Sequence, residues 1–526
     1  MTSSITKKRA LLSVYDKTGI VDFSKSLVKH NWEIVSTGGT RKVLMDAGIP
    51  VIDITTISGN PEAFGGRMKT ISFNVESAIL FDRERDSEEA ESLGIKPIDM
   101  VVCNLYPFGD VLERGGDHKT LIEHIDVGGP TMVRAAAKNY KYVTVVTDPS
   151  DYGELKNLLT KNNGETTLEF RREAMKKAFN LTADYDSMIS KAMDGNIVRL
   201  AFDSKKPLRY GENDGQTADM YRQKGVDNSL YDMEVLHGKE LSFNNILDIQ
   251  AAVEAIKETP HDKYSCSVVK HTNCCGIAEG PDVGISQREI LELAWAGDPI
   301  SAFGSIIAFN QIVGLDTVEF FELENKQKRK FFEVIVAPEY DPSTLQYLKQ
   351  SKNLRIVKYD VTKMKVKTDY RIFNGVLLKQ TPDDQLFSRM DIVTEIKGDL
   401  GNEKELIKFG LRSVKTIKSN AIVIVREKDG CYQLLGAGIA QPNRVVATKL
   451  AIDKAKENLR EGEDLSDCWL ISDAFMPFPD CAELASVSGI RRIVQPGGSI
   501  RDDIVISKCN DLKVLMVFTG LRHFRH

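Results

Sequence analysis

The most constraining feature of this chain is its first 55 residues, where apolar runs of strand length alternate with amphipathic stretches of helix length. "RALLSVY" (9–15) is followed by Ile20, Val21, Phe23, Leu27 and Val28 on one helical stripe, and then by "WEIVST" (32–37). After Gly38 and Gly39 a short helix carries Val43 and Leu44 and stops at Gly48 and Pro50, before a third run, "VIDIT" (51–55). Strand, helix, strand, helix, strand leaves few topologies open, because parallel strands need crossover connections; the spacing predicts a parallel sheet flanked by helices. "IDMVVCNLY" (98–106) and "YVTVVTD" (142–148) supply further strands, and 150–205 reads as a helical segment closing a first domain near residue 200.

A chain of 526 residues exceeds what one core usually supports, so a second domain is expected. It again mixes strands ("CSVVKH", "SIIAFN", "EVIVAP", "NAIVIV", "WLISDA") with helices such as "NRVVATKLAIDKAKENL". Two α/β portions, about 205–370 and 371–526, suggest a pseudo-repeat with "KVKTDYRIFNG" as its seam. With 42% apolar and 28% charged residues the composition is that of a globular protein. No run approaches the roughly 18–20 apolar residues of a membrane span, and "MTSSITKKRA" lacks the apolar stretch of a secretory leader. Eight scattered cysteines without a CxxC fit reduced thiols and a cytoplasmic protein. A net charge of −5 with interspersed signs argues against nucleic acid or membrane as a general partner and points to small molecules.

Polar residues gather where the predicted strands end, outside which ligands of parallel sheets bind. "TGGT" (37–40) is a glycine turn opening a helix, suited to a phosphate, or simply a turn. "GGRMKT" (65–70) adds Arg67 and Lys69, while "DVGGPTMVRAAAKN" (126–139) sets Asp126 and a glycine pair ahead of Arg134 and Lys138, four apart on a helix face that is either part of an anion site or simply solvated charge. In "VVKHTNCCG" (268–276), Lys270, His271, Cys274 and Cys275 stand within six positions. Zinc needs three or four ligands in tetrahedral reach, and neither C-x2-C nor H-x-E with P-C-x-x-C spacing is present, so no metal is expected. A strand ending in Lys-His instead offers two titratable groups at a sheet end, where a cation beside an imidazole favours the neutral base. A buried structural histidine is the alternative. "GAGIAQ" (436–441) holds only half of a dinucleotide fingerprint, and the chain has no P-loop and no GxSxG elbow.

Taken in order, "SVYDKTG", "STGGT", "GGRMKT", "CNLYPF", "DVGGPTMVRAAAKN", "LRYGEN", "VVKHTN", "AGDPISAFG", "KSNAIVIV", "SDAFMPFPD" and "LRHFRH" closely resemble the bifunctional AICAR formyltransferase and IMP cyclohydrolase family, over essentially the entire chain. The resemblance implies a methylglyoxal-synthase-like parallel-sheet domain over 1–200, the IMP cyclohydrolase. It implies an AICAR formyltransferase over 201–526, built of two cytidine-deaminase-like portions that lack zinc. The implied chemistry is formyl transfer from 10-formyltetrahydrofolate to AICAR giving FAICAR, then dehydrative closure to IMP. The folate is a co-substrate, and no tightly bound cofactor is expected.

By the same resemblance His271 is the base for transfer, with Lys270 beside it, and Arg209, Tyr210, Gly304, Glu333, Asn420, Arg444, Phe475 and Arg522 hold the nucleotide. Val445, Asp480, Ser499 and Ile500 match positions near the folate. For closure the implied catalytic groups are Lys69 and Lys138, with Tyr106 and Asp126 handling protons. Tyr15, Asp16, Lys17, Thr37, Gly38, Gly39, Thr40, Arg67, Met68, Thr70, Cys103, Asn104 and Val127 are implied nucleotide contacts. A homodimer is implied as well. The chain departs from the pattern at Asp214-Gly215, Cys274, Ala440 and in "KTISF" (69–73). Two other classes stand beside this reading: a zinc-dependent nucleobase deaminase and a nucleotide-binding protein without turnover.

Overall fold

The computed structural model describes residues 7–61, 63–64, 68–396, 400–401 and 403–526. The chain forms two compact units, Met1–Ala201 and Phe202–His526.

In the first unit β1 (Arg9–Leu12), β2 (Glu33–Ser36), β3 (Ile52–Asp53), β4 (Met100–Val102) and β5 (Thr144–Val146) make one sheet in the order β3-β2-β1-β4-β5. Every pairing is parallel, as the alternating pattern predicts. The strands are shorter than the apolar runs suggest, because their carboxyl ends leave the sheet to form polar loops. Leu11, Val35, Val101 and Val145 face one core and Leu12, Ile34, Met100 and Val102 the other, the mark of a sheet covered on both faces. The helical segment resolves into Tyr152–Lys161 and the 26-residue helix Leu168–Met193.

Glu76 lies on the helix Phe73–Leu80, and among the described residues neither of its buried carboxyl oxygens has a hydrogen-bond partner. Burial pushes its pKa up to about 7 from 4.5. The folded chain therefore keeps this proton at pH values where the unfolded chain has lost it, so stability falls as pH rises from about 4.5 to about 7 and then levels off. Glu76→Gln, which cannot ionise, is expected to be the more stable protein at pH 8, by on the order of 2 kcal/mol once screening of the partly exposed side chain is allowed for. The two proteins should converge at pH 4, and thermal midpoints at the two pH values read the difference.

The second unit contains β6 (Phe202–Leu208), β7 (Ala218–Gln223), β8 (Glu234–His237), β9 (Lys263–Lys270), β10 (Asn273–Pro281), β11 (Ser305–Phe309), β12 (Phe332–Ala337) and β13 (Arg355–Lys358). It continues with β14 (Asp369–Phe373), β15 (Val376–Gln380), β16 (Asp391–Ile392), β17 (Ile422–Lys428), β18 (Cys431–Gly438), β19 (Trp469–Ser472), β20 (Arg492–Gln495) and β21 (Leu515–Phe518). Twelve strands form one sheet in the order β16-β21-β20-β19-β17-β18-β10-β9-β11-β12-β13-β8.

That order is a repeat. Each half has an antiparallel hairpin, β9–β10 or β17–β18, followed by three parallel strands and an antiparallel edge strand. The halves meet through β10 and β18, which pair antiparallel, so the halves run in opposite directions across one sheet. Glu279 of β10, 2% exposed, fastens them by accepting from Lys263 Nζ at 3.1 Å and from Arg412 Nη2 of the helix Glu403–Lys415 at 2.6 Å. The expected seam is the ribbon β14–β15, whose Ile372, Phe373, Val376 and Leu378 are all exposed.

"GAGIAQ" ends β18 and is a packing device. A Cβ on Gly438 would run into the Ala447 carbonyl of the helix Arg444–Glu457, so small residues are needed for strand and helix to touch. No helix among the described residues is long and apolar enough to cross a membrane.

Candidate functional site

In the first unit the predicted residues collect at the carboxyl ends of β1, β2 and β4. Asn104, just past β4, binds the loop after β1: its Oδ1 accepts from Tyr15 N at 2.6 Å and Asp16 N at 2.9 Å, and its Nδ2 donates to Asp16 O at 3.0 Å. Thr40 is buried and closes the same loop, accepting from Val14 N at 3.0 Å and donating to Val14 O at 2.9 Å. Thr37 precedes the helix Gly38–Asp46, and its side chain accepts no capping hydrogen bond from it. Two lysines converge on that helix start: Lys69 Nζ lies 3.4 Å from where a Cβ on Gly38 would stand, and Lys17 Nζ 3.8 Å from one on Gly39. Two ammonium groups beside the positive end of a helix dipole make a site for an anion. Thr70 Oγ1 reaches the start of a second helix, Gly128–Lys138, 3.0 Å from a Cβ on Gly128.

Asp126 sits at the entry of that helix. Its Oδ1 accepts from Gly129 N at 2.8 Å, its Oδ2 from Tyr106 N at 3.4 Å, and its own N–H donates to the Tyr185 hydroxyl at 2.9 Å. Burial raises the carboxyl's pKa, opposed by the two N–H groups. A Cβ on Gly129 would press on the Asp126 carboxylate and displace it. The Tyr106 and Tyr15 rings stand edge to face at 5.9 Å, and Val127 and Met68 are both exposed. Cys103 is buried, so only its main chain is available to a ligand. Lys138 is exposed in the last turn of its helix, about 15 Å along the axis from Gly128. Within one chain it stands apart from Lys69 and Asp126. Arg67 lies outside the described residues.

In the second unit Lys270 ends β9, His271 follows it, and β10 begins at Asn273. The two strands are joined by a two-residue turn, His271–Thr272, with φ of 53° and 62°. Lys270 Nζ donates to Phe303 O at 2.7 Å, and His271 is exposed, which removes the buried structural histidine as an alternative. Gly304, with φ 76°, lies beside Lys270, and its N–H donates to Phe331 O at 2.8 Å. Arg209 stacks on Tyr210 at 5.1 Å, and the two are tied to Leu241 and Phe243 by backbone hydrogen bonds. Glu333 Oε2 accepts from Asn245 Nδ2 at 3.3 Å and from Arg355 Nη1 at 3.4 Å.

Cys274 and Cys275 face opposite sides of the sheet. Cys274 is in the core with Thr416, whose hydroxyl donates to its sulfur at 3.5 Å, and Cys275 packs in the other cluster. One ion cannot take both sulfurs. Among the described residues no three His, Cys, Asp or Glu side chains converge as metal ligands.

A second cluster surrounds Asn420. Arg444 Nη2 donates to Asn420 Oδ1 at 2.6 Å and its Nη1 to Ser472 Oγ at 2.9 Å and to the Asp473 carboxylate. Ser419 Oγ donates to Asp473 at 2.5 Å, and Ser419 N to Arg525 O at 2.9 Å, drawing in the chain end. A cavity of about 390 Å³ opens here, lined by Ser419, Asn420, Ala440, Gln441, Phe524 and His526. Phe475 and Arg522 are exposed nearby in sequence, Arg522 over the Phe524 ring at 5.0 Å. The four expected folate positions are spread over three segments: Val445 opens a helix, Asp480 another, and Ser499 and fully exposed Ile500 lie in the loop after β20.

Asp248, Asn245, Arg355 and His526 were not legible as site residues. The only local signal is the capping box Ser242–Asn245, which fixes Asn245 at a helix start but not what its amide reaches.

A family model described as AICARFT/IMPCHase bienzyme matches residues 136–454, more than half of the chain. The chain belongs to the AICARFT/IMPCHase bienzyme family. An MGS-like domain model matches residues 19–131 of the parallel-sheet unit. Proteins named bifunctional purine biosynthesis protein PurH are similar throughout: 42% identity in Persephonella marina, over 99% of this chain and 100% of the relative, and 41% in Clostridium botulinum over the same shares. The Aquifex aeolicus protein of that name is 42% identical over 98% of this chain and 100% of its own. The crystal structure of ForH aligns with a TM-score of 0.33 and 33% identity, covering 36% of this chain and 100% of ForH. As a bienzyme the chain is an AICAR formyltransferase and an IMP cyclohydrolase, performing the last two steps of IMP synthesis on nucleotide substrates with a folate-type co-substrate.

Proposed function

We propose that the second unit transfers a formyl group from 10-formyltetrahydrofolate to AICAR, with His271 as base, and that the first unit closes FAICAR to IMP, with Lys69 as the principal cation. The observation that carries the reading is the exposed His271 imidazole on a tight turn next to Lys270, whose ammonium is anchored on the Phe303 carbonyl.

AICAR's 5-amino group is a poor nucleophile, because its lone pair is conjugated with the ring and carboxamide. It must lose a proton as it attacks the formyl carbon. His271 takes that proton, Lys270 faces the oxyanion of the tetrahedral intermediate, and as the C–N10 bond breaks and the carbonyl re-forms the proton passes from His271 to N10 of the departing tetrahydrofolate, giving FAICAR. In closure the carboxamide nitrogen attacks the new formyl carbon, and the oxygen departs as water. Lys69 stands where that oxygen gains charge, Asp126 and Tyr106 relay protons, and Lys17 with the glycine helix start holds the phosphate. The burial-raised carboxyl of Asp126 suits a group that both takes and gives a proton. Lys138 enters this reading by resemblance alone.

A homodimer completes the transferase. The turn at His271 and the Asn420 cluster are three strand spacings apart, about 15 Å, so one chain presents two partial sites along the sheet edge. The exposed apolar ribbon β14–β15 supports pairing with a second copy, since a lone two-stranded ribbon is marginally stable in water. The thiols and soluble composition fit residence in the cytoplasm.

An ultraviolet assay for IMP formed from AICAR tests the reaction and its donor together. IMP should form with 10-formyltetrahydrofolate and not with formate plus ATP; the opposite pattern would reassign the donor, and no product with either would remove the transferase.

A further inference from the structure

The turn that carries His271 is conformationally expensive. Two-residue turns with positive φ at both positions match the twist of a hairpin, which is why Asn-Gly and Asp-Gly usually fill them. Here the pair is His-Thr, at 53° and 62°, and a β-branched residue in the left-handed region is an outlier. The pseudo-equivalent hairpin, β17–β18, turns through Asp429-Gly430 instead, at 53° and 77°. The first half thus lacks the glycine that makes such a turn cheap.

What holds it comes from another element. Asp248, on the helix Phe243–Ile256, is 9% exposed, and its Oδ1 accepts the Thr272 N–H at 2.5 Å. The His271 amide acts on the same carboxylate. On the turn's other side the His271 carbonyl accepts from Thr272 Oγ1 at 2.7 Å and Asn273 Nδ2 at 2.9 Å. Burying a carboxylate is costly, and this one is spent on the two N–H groups that flank the imidazole's own residue. One turn back along the helix, Asn245 reaches Glu333, so a single rigid element registers both edges of the Lys270 region.

We infer that Asp248 is a positioning residue for formyl transfer, clamping the left-handed His271–Thr272 turn so that the imidazole is aimed at the reacting amine. The inference rests on the reading of His271 as base and adds the means by which that base is oriented.

A double-mutant cycle in the full chain tests it, with AICAR formylation as the readout. Asp248→Ala should lower kcat by about 100-fold, the scale of a 1 Å misplacement, while the AICAR KM changes by less than about threefold. Asp248→Asn keeps an acceptor oxygen and should recover most of that loss. Thr272→Gly makes the turn cheap without a clamp, so in its background Asp248→Ala should cost about tenfold or less. Equal losses in both backgrounds, or an Asp248→Ala enzyme within about threefold of the parent kcat, overturn the clamp. His271→Ala serves as the control: if it leaves formylation intact, the base itself is misassigned, whereas loss there with no loss at Asp248 defeats the positioning role alone.

Discussion

Replacing His271 with alanine lowers formylation of AICAR by about 10²- to 10⁴-fold while FAICAR supplied directly is still closed to IMP at close to the parent rate. The magnitude follows from what the imidazole does. The aryl amine is too weakly nucleophilic to attack as it stands, and without a positioned base its proton must leave to water along an uncontrolled path. Lys270 remains in the variant, anchored on Phe303 O, so the oxyanion keeps its partner and the loss falls on kcat more than on KM. Stopped assays that separate FAICAR from IMP read the two steps independently. Loss of both activities in a folded His271→Ala protein would contradict the division of labour between the units.

The mirror experiment is Lys69→Ala, expected to lower closure of FAICAR by about 10²- to 10³-fold, the usual cost of removing one donor from a developing oxyanion, with formylation of AICAR retained. Lys69 stands with Lys17 over the Gly38–Gly39 helix start, 3.4 Å from a Cβ position at Gly38. Removing it weakens a local concentration of positive charge that Lys17 and the helix dipole only partly replace. In assays starting from AICAR, FAICAR should accumulate, and adding parent enzyme should draw it on to IMP. A Lys69→Ala protein that closes FAICAR at the parent rate places the closure chemistry elsewhere in the first unit.

These two substitutions were legible because lysine and histidine at strand ends are chemically conspicuous and fall within motifs. Their supporting groups were not. Asp248 precedes the turn that it clamps by 23 and 24 positions and lies on a helix whose apolar periodicity gives it no distinction from any other polar residue there. Arg355 opens β13, where an arginine reads as an ordinary strand terminus, yet its guanidinium is nearly buried against Glu333. The departure at Ala440 has a structural side as well: it takes φ of 55° and its N–H donates to Lys418 O at 2.8 Å, so it shapes the loop beside Asn420. Nothing in the structure explains Asp214-Gly215.

By itself the sequence determined the parallel sheet of the first unit and the two-part α/β character of the second, and it named candidate groups at their strand ends. Periodicity and residue type are local properties, and a chain that alternates apolar runs with amphipathic helices has little freedom in what it can bury. Which edge of the large sheet the candidate transferase residues share was decided only by tertiary structure. Because β10 and β18 pair antiparallel, Gly304, Glu333 and Arg355 stand at the amino ends of β11, β12 and β13, while the segments after β19 and β20 leave from carboxyl ends at the same edge. Strand direction across a sheet is set by long-range pairing, and pairing between residues more than a hundred positions apart leaves no trace in local sequence.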